Sequence, residues 1–134
     1  MCGVCGVINF DGEQVTKSSL LKMMAAMKHR GPDDEGVFLK ENVGLGHVRL
    51  SIIDLSDDGK QPFASDDNRY QLVFNGEIYN YLEIKKDLES KGIKFSTLSD
   101  TEVILKGYQI YGKDLFNIME GMWALAIYDK KKKE

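Results

Sequence analysis

The chain has 134 residues, of which 43% are hydrophobic, and a formal net charge of −3 from 18 Lys and Arg against 21 Asp and Glu. A chain of this length buries roughly two-thirds of its unfolded surface in one core, and its two cysteines argue against a disulfide framework. The acidic balance disfavours a nucleic-acid or anionic-membrane surface, and the absence of a long apolar run or secretory signal predicts one cytoplasmic domain over residues 1–134.

Five segments rich in β-branched and aliphatic residues predict strands. They lie between Gly and Asx residues at 3–9, 36–40, 43–53, 70–74 and 122–128. Large and small side chains alternate along the last of them, which predicts a strand covered on both faces of a sheet. Because the second and third strands follow each other without a helix, we expect an antiparallel hairpin and an α+β fold.

Three helices are predicted between these strands. The first follows Ser18 or Ser19 as N-cap, and its apolar residues recur at helical spacing. The second covers about 80–91 and the third about 101–111, and each is followed by a glycine. Ser99 and Glu102 have the spacing of a capping box at the start of the third helix.

Cys2 is the first candidate for chemistry. It is a small residue after Met1, the usual condition for removal of the initiator, so the mature chain is expected to begin with a thiol and a free α-amine on one residue. The amine titrates near ~7.7–8.0 and the thiol near ~8.5, so the amine can accept the proton of the thiol. Nucleophile and base would then come from a single residue.

Cys2 and Cys5 also form a C-x-x-C pair, which leaves other readings open. Such a pair occurs in redox proteins or as half of a zinc site, with His29 and His47 as the remaining ligands. The two histidines lack the short spacing of common zinc sites, and no second C-x-x-C is present. Cys5 alone is typical of a small buried side chain.

Five further residues could bind a charged or polar substrate. Arg49, near the end of an apolar strand, suits a carboxylate held by both arms of the guanidinium, although it could equally extend into solvent. Asn75 and Gly76 are typical of a turn but can also donate two hydrogen bonds to an oxyanion. Asp100 could cap the third helix or, with Glu77, hold an ammonium group. Together with Cys2, these groups suit a zwitterionic amino-acid substrate with an acyl-type side chain, of which glutamine is the obvious example.

Seven blocks, in order and over almost the whole chain, resemble the glutaminase domain of glutamine-hydrolysing asparagine synthetases. The blocks are Met-Cys-Gly-Val-Cys-Gly at 1–6, His-Arg-Gly-Pro-Asp-Asp at 29–34, Leu-Gly-His-Val-Arg-Leu-Ser-Ile-Ile-Asp-Leu at 45–55, Gln-Pro at 61–62, Val-Phe-Asn-Gly-Glu-Ile-Tyr-Asn-Tyr at 73–81, Ser-Asp-Thr-Glu-Val-Ile at 99–104 and Gly-Met-Trp-Ala-Leu-Ala-Ile-Tyr-Asp at 121–129. Other class II amidotransferases are expected to share the cysteine, His-Arg-Gly and Asn-Gly but to differ elsewhere.

The resemblance implies an N-terminal nucleophile hydrolase fold, an αββα sandwich of two antiparallel sheets, in which Cys2 attacks glutamine through a thioester. It implies oxyanion donors at Asn75 and Gly76 and an ammonium site at Glu77 and Asp100. The remaining substrate-binding positions that it implies are Arg49 for the α-carboxylate and the backbone of Leu50, Ser51, Ile52 and Ile53.

The resemblance also implies what lies outside this chain. The family's domain continues into further strands, so we expect a chain truncated at its C-terminal side, which would leave 122–128 with an unpaired edge. We expect no synthetase domain within residues 1–134. The glutaminase step needs no cofactor or metal, whereas ATP and magnesium serve the synthetase domain. The expected partners are glutamine and that domain as ammonia recipient, with neither nucleic acid nor membrane, and a homodimer is one assembly that it allows. The alternatives are the glutaminase domain of another class II amidotransferase and an inactive, truncated binding module that keeps the fold.

Overall fold

The computed structural model describes residues 2–51 and 59–134, and two three-stranded antiparallel sheets form its centre. Sheet A has the order β1-β3-β2 and sheet B the order β4-β5-β6. The strands are β1 (Gly3–Ile8), β2 (Asp34–Lys40), β3 (Val43–Arg49), β4 (Phe63–Ala64), β5 (Tyr70–Ile78) and β6 (Gly121–Asp129). All five predicted strands are present, and β4 was missed because two residues carry no periodicity.

Four helices accompany the sheets within residues 2–51 and 59–134. They are α1 (Lys17–Ala26), α2 (Tyr81–Ser90), α3 (Asp100–Tyr111) and α4 (Leu115–Ile118), with short 3-10 turns at Lys28–Arg30 and Gly112–Asp114. The N-cap of α1 is Thr16, whose hydroxyl accepts from the Ser19 amide, and not Ser18 or Ser19 as the sequence predicted. None of the helices in the described part of the chain has the length and apolar character needed to cross a bilayer.

Apolar faces stack these elements into four layers. The two sheets meet in a small cluster of Val43 and Leu45 from β3 with Val73 and Tyr128 from β5 and β6. The opposite face of β5 contributes Leu72, Phe74 and Ile78 to a larger cluster with α2 and α3, whose buried members are Ile84, Leu88, Val103, Ile104 and Leu105. Helix α1 covers the outer face of sheet A with Leu20 and Met24. The predicted α+β sandwich, with helices outside two antiparallel sheets, is therefore confirmed.

Strand β6 corrects one prediction. It pairs with β5 alone, and within the described residues its other edge carries no strand. Met122 is 66% exposed and Trp123 39%, so the strand is not covered on both faces. Leu125 and Ile127 pack only partly against the larger cluster. Large and small side chains therefore alternate along an edge strand whose faces are only partly covered.

The end of β5 corrects a second prediction. The strand does not stop at Phe74 but stays paired with β6 as far as Ile78 opposite Gly121, so Asn75-Gly76 lies inside a strand and not in a turn. A Cβ atom on Gly76 would lie 2.3 Å from the Met122 carbonyl oxygen. Glycine is needed there because the β6 backbone approaches so closely. The described part of β3 ends at Arg49, earlier than predicted.

Candidate active site

The register of sheet A brings Cys2 to the end of β3. Gly3, the first residue of β1, pairs with Val48, so the preceding cysteine lies beside Arg49 and Leu50. The Leu50 amide donates to the Cys2 sulfur at 3.4 Å, and the thiol donates to the Leu50 carbonyl at 3.6 Å. Two predicted site residues, far apart in the sequence, are thus brought together by strand pairing, and the backbone N–H and C=O of Leu50 both contact the Cys2 sulfur.

Arg30 contacts the backbone of Cys2, a role that its place in the sequence does not indicate. Its Nε atom donates to the Cys2 carbonyl at 3.1 Å. The neighbouring Gly31 lets the 3-10 turn approach β3, because a Cβ atom there would lie 2.4 Å from the Val48 carbonyl group. The His-Arg-Gly block was the available signal, but the sequence does not show which atom Arg30 contacts.

Asp33 also contacts the site through partners that the sequence does not show. Its amide donates to the Arg49 carbonyl at 3.0 Å, and its carboxylate accepts from the Ser51 amide at 2.8 Å. It therefore fixes the chain on both sides of Leu50. Ser51, a predicted substrate-binding residue, has its amide engaged by this carboxylate.

Strand β5 and helix α3 supply the opposite wall. Side chains alternate along β5, so Asn75 and Glu77 share the side of Val73, which faces sheet A, while Phe74 and Ile78 face the helices. The Asn75-Gly76-Glu77 segment therefore lies across from the Cys2 end of sheet A.

Asp100 joins this wall from the start of α3. Ser99 caps the helix by accepting from the Thr101 amide, so Asp100 is not the N-cap. The buried Asp100 carboxylate accepts from the Ile78 amide at 3.3 Å and ties the helix to β5.

One cavity of about 190 Å³ unites most of the predicted site residues. The described residues that line it are Cys2, Arg49, Leu50, Gly59, Gln61, Phe74, Asn75, Gly76, Glu77, Ser99, Asp100, Thr101 and Met122. Ser51 is not among them, and Ile52 and Ile53 lie outside the described residues. A cleft of this size that brings together a thiol and opposite charges can accommodate a small polar ligand.

The positive and negative side chains of the cavity lie on opposite walls. Arg49, only 8% exposed, lies on the sheet A side, whereas Glu77 and Asp100 lie on the β5 and α3 side. Burial raises the pKa of Asp100, hydrogen bonds from the Ile78 and Thr101 amides oppose the rise, and the negative charge of Glu77 adds to it. An ammonium group bound there would relieve the unfavourable burial of this carboxylate.

The residues of the alternative metal or redox site are separated. Both cysteines are free thiols, and Cys2 contacts Leu50, whereas Cys5 contacts the Gly46 backbone and burial raises its pKa. His47 is buried with its Nε2 atom 3.2 Å from the Phe74 carbonyl oxygen. In the ranges 2–51 and 59–134, no group of three or more His, Cys, Asp and Glu side chains is arranged to hold a metal ion.

Comparison with known proteins gives the family. The glutamine amidotransferase domain family matches the chain over residues 1–134. The chain belongs to this family. Among the relatives of this amidotransferase domain, asparagine synthetase [glutamine-hydrolyzing] 1 of Bacillus subtilis is 45% identical over 97% of the chain and 21% of its own length. Asparagine synthetase B [glutamine-hydrolyzing] of Escherichia coli is 37% identical over 98% of the chain and 24% of its own length. The amidotransferase domain thus spans about a quarter or less of these relatives, and the resemblance seen in the sequence is confirmed.

A solved structure gives the fold. The glutamine phosphoribosylpyrophosphate amidotransferase of B. subtilis, solved with ADP and GMP, matches the amidotransferase domain with a TM-score of 0.79 and 23% identity. The match covers 95% of this chain and 35% of that one. At this identity the likeness concerns the fold alone, and it agrees with the N-terminal nucleophile hydrolase sandwich expected from the sequence.

Proposed function

We propose that this amidotransferase domain hydrolyses glutamine to glutamate and ammonia, with Cys2 as the nucleophile. The observation that carries the proposal is the single cavity lined by Cys2, Arg49, Asn75, Gly76 and Asp100, residues that come from four separate parts of the chain. The cavity offers a nucleophile, hydrogen-bond donors and complementary charges within one small volume. These are the groups that hydrolysis of a zwitterionic amide requires.

The two ends of glutamine are distinguished by charge. Arg49 binds the α-carboxylate from the sheet A side, where the backbone of Leu50 also lines the cavity. Glu77 and Asp100 bind the α-ammonium group from the opposite wall. The raised pKa of Asp100, caused chiefly by burial, supports this assignment because a bound ammonium stabilises the ionised form. The side-chain carboxamide then extends towards the Cys2 sulfur.

The reaction forms and breaks one bond to Cys2. The α-amine of Cys2, exposed once Met1 is removed, accepts the thiol proton while the sulfur attacks the carboxamide carbon. Asn75 and Gly76 donate to the oxyanion that develops on the former carbonyl oxygen. The carbon–nitrogen bond breaks as the amine returns the proton to the leaving ammonia, and a glutamyl thioester remains. Water attacks the thioester, glutamate leaves and the thiol is restored. No step needs a cofactor, since Cys2 supplies both nucleophile and base.

The ammonia is passed to a synthetase domain. Two of the relatives are named as asparagine synthetases and are about four to five times longer than the region they share with this chain. We therefore propose that this amidotransferase domain supplies ammonia for asparagine formation, with the ATP- and magnesium-dependent chemistry in the other domain.

The test is glutamine turnover by Cys2→Ala beside a matched variant. Cys5→Ala makes the same change three residues away, at a thiol that does not line the cavity. We expect glutamate release by the wild type and by Cys5→Ala, and none above background by Cys2→Ala. Wild-type turnover by Cys2→Ala would refute the mechanism. A wild-type chain that binds glutamine without hydrolysing it would favour an inactive binding module instead.

A further inference from the structure

On the side away from β6, the backbone of Phe74, the residue before Asn75, is held by side chains and not by a neighbouring strand. On the β4 side of β5 the ladder covers only Gln71 and Leu72, opposite Ala64 and Phe63. The Phe74 amide donates to Gln61 Oε1 at 2.6 Å. The Phe74 carbonyl accepts from His47 Nε2 at 3.2 Å, since a carbonyl can only accept and this nitrogen must carry the proton.

Gln61 also connects this peptide to the start of α3. Its Nε2 atom lies 3.4 Å from the hydroxyl oxygen of Thr101, the residue after Asp100. One side-chain amide therefore joins the residue before Asn75 to the residue after Asp100. An amide suits both contacts because it carries an acceptor and a donor.

The backbone of Gln61 has little freedom to shift. A Cβ atom on Gly36 of β2 would lie 2.1 Å from the Gln61 carbonyl oxygen, so the chain at Gln61 lies directly against sheet A. Two residues later, Phe63 pairs with Leu72 in sheet B. The side-chain amide of Gln61 therefore extends from a segment that packs against both sheets, and Gln61 also lines the cavity.

We propose that Gln61 is a positioning residue for glutamine hydrolysis, which holds the oxyanion donors at Asn75 and Gly76 at a fixed distance from Asp100. This inference rests on the proposed function. A substrate bound through its ammonium group to α3 presents its carboxamide correctly only if the β5 segment keeps its place relative to that helix. Without the Gln61 amide, the Phe74 N–H loses its partner. On the side away from β6, the backbone before Asn75 then keeps only the bond from His47 to the Phe74 carbonyl, and this part of β5 can shift. Small displacements of this kind lower the rate of reaction more than the affinity for substrate.

The experiment compares Gln61→Met with Gln71→Met. The second variant makes the same change at a buried glutamine on β5, whose amide contacts Asn68 and does not line the cavity. For Gln61→Met we expect kcat to fall about 10- to 100-fold, with KM changed by less than about threefold. Affinity for the γ-aldehyde analogue of glutamine, whose thiol adduct has a tetrahedral carbon that bears the former carbonyl oxygen, should fall by a similar factor, while affinity for glutamate stays unchanged. Gln71→Met should retain all four values.

Two results would overturn the inference. Equal kcat and equal aldehyde affinity in Gln61→Met and Gln71→Met would show that the amide positions nothing. A raised KM with unchanged kcat would make Gln61 a substrate contact instead. If Gln61→Met does not fold, Thr101→Val keeps the shape of the side chain and removes only the hydroxyl that Gln61 contacts. A smaller fall in kcat is then expected, and an unchanged kcat refutes the inference. A wild-type chain without glutaminase activity would refute the proposed function, whereas an active wild type with a silent Gln61 variant refutes this inference alone.

Discussion

The two walls of the cavity are assembled in different ways. In the sheet A wall, strand register brings Cys2 beside Arg49 and Leu50, and many main-chain hydrogen bonds share the task. In the opposite wall, Asn75 lies on a strand and Asp100 on a helix, and individual side chains connect the two elements. The comparison teaches that single substitutions in sheet A remove chemical groups, whereas substitutions behind β5 and α3 alter geometry.

Glu102 shows how strongly the second wall depends on one side chain. It is fully buried in α3 and accepts from the amides and hydroxyls of Ser96 and Thr97 and from Lys106 at 2.8 Å. Burial alone would raise its pKa, but these hydrogen bonds outweigh burial and lower the pKa to about 2. The loop that leads into Asp100 is therefore fixed by a single carboxylate two residues further along.

The largest effect on rate should come from the chemical groups themselves. Asn75→Ala removes one proposed oxyanion donor, so we expect kcat to fall about 10²- to 10³-fold with little change in KM. Asn42→Ala is the control, because that side chain donates to the Asn9 carbonyl at 2.9 Å and does not line the cavity. Steady-state glutaminase kinetics measure both. A kcat for Asn75→Ala equal to that of the control would remove Asn75 from the mechanism.

The next effect is on stability, and it sharpens the contrast between the walls. Glu102→Gln leaves Lys106 and the 96–97 loop with weaker partners inside the protein, so we expect about 3 kcal/mol less stability. KM for glutamine should also rise, because the loop no longer positions Asp100. Urea unfolding and glutaminase kinetics measure the two effects.

Lys91→Ala is the matched control for this prediction. It breaks the pair between Asp87 and Lys91, which has the same i,i+4 spacing but lies in solvent. Its unfolding midpoint should equal that of the wild type. A Glu102→Gln chain as stable as Lys91→Ala would contradict the importance assigned to the buried carboxylate.

The smallest effect concerns the hydrogen bond from His47 of sheet A to the Phe74 carbonyl of β5, which joins the two walls. Burial, the main cause, lowers the pKa of His47 to about 4, against a usual value of 6.5. The unfolded chain therefore binds the proton more readily, and stability should fall by about 2 kcal/mol as the pH decreases from 7 to 5. His47→Gln keeps a donor for the Phe74 carbonyl and removes the titration. Urea unfolding at both pH values should show a smaller loss for this variant, and an equal loss would assign the pH dependence to other groups.

The sequence could predict the elements whose apolar residues recur with a regular period. Five strands, three helices and the glycines that follow α2 and α3 come from periodicity and backbone preference, and Gly92 and Gly112 indeed have φ of 84° and 57°. The exposure of the two faces of β6 could not be predicted, because alternation shows which side chains share a face and not what covers that face.

The residues of the candidate site likewise fall into those that the sequence indicates and those that it does not. Cys2, Arg49 and Asp100 are unusual enough in type and place to be singled out individually. Arg30, Gln61 and Glu102 act through partners 28, 13 and 6 residues away in the sequence, or on another element altogether. Nothing in a single sequence specifies such contacts. The Asn75-Gly76 pair is likewise typical of a turn by residue type, because its ladder with β6 is a tertiary feature.

The most direct test of the central claim is a trapped thioester. The wild-type chain is incubated with glutamine, quenched in acid, digested, and its peptides are weighed by mass spectrometry. The account predicts a peptide that begins at Cys2, without Met1, and carries a glutamyl adduct on that cysteine, with Cys5 unmodified. Steady glutamine turnover by a chain that retains Met1, or an adduct on any residue other than Cys2, would contradict it.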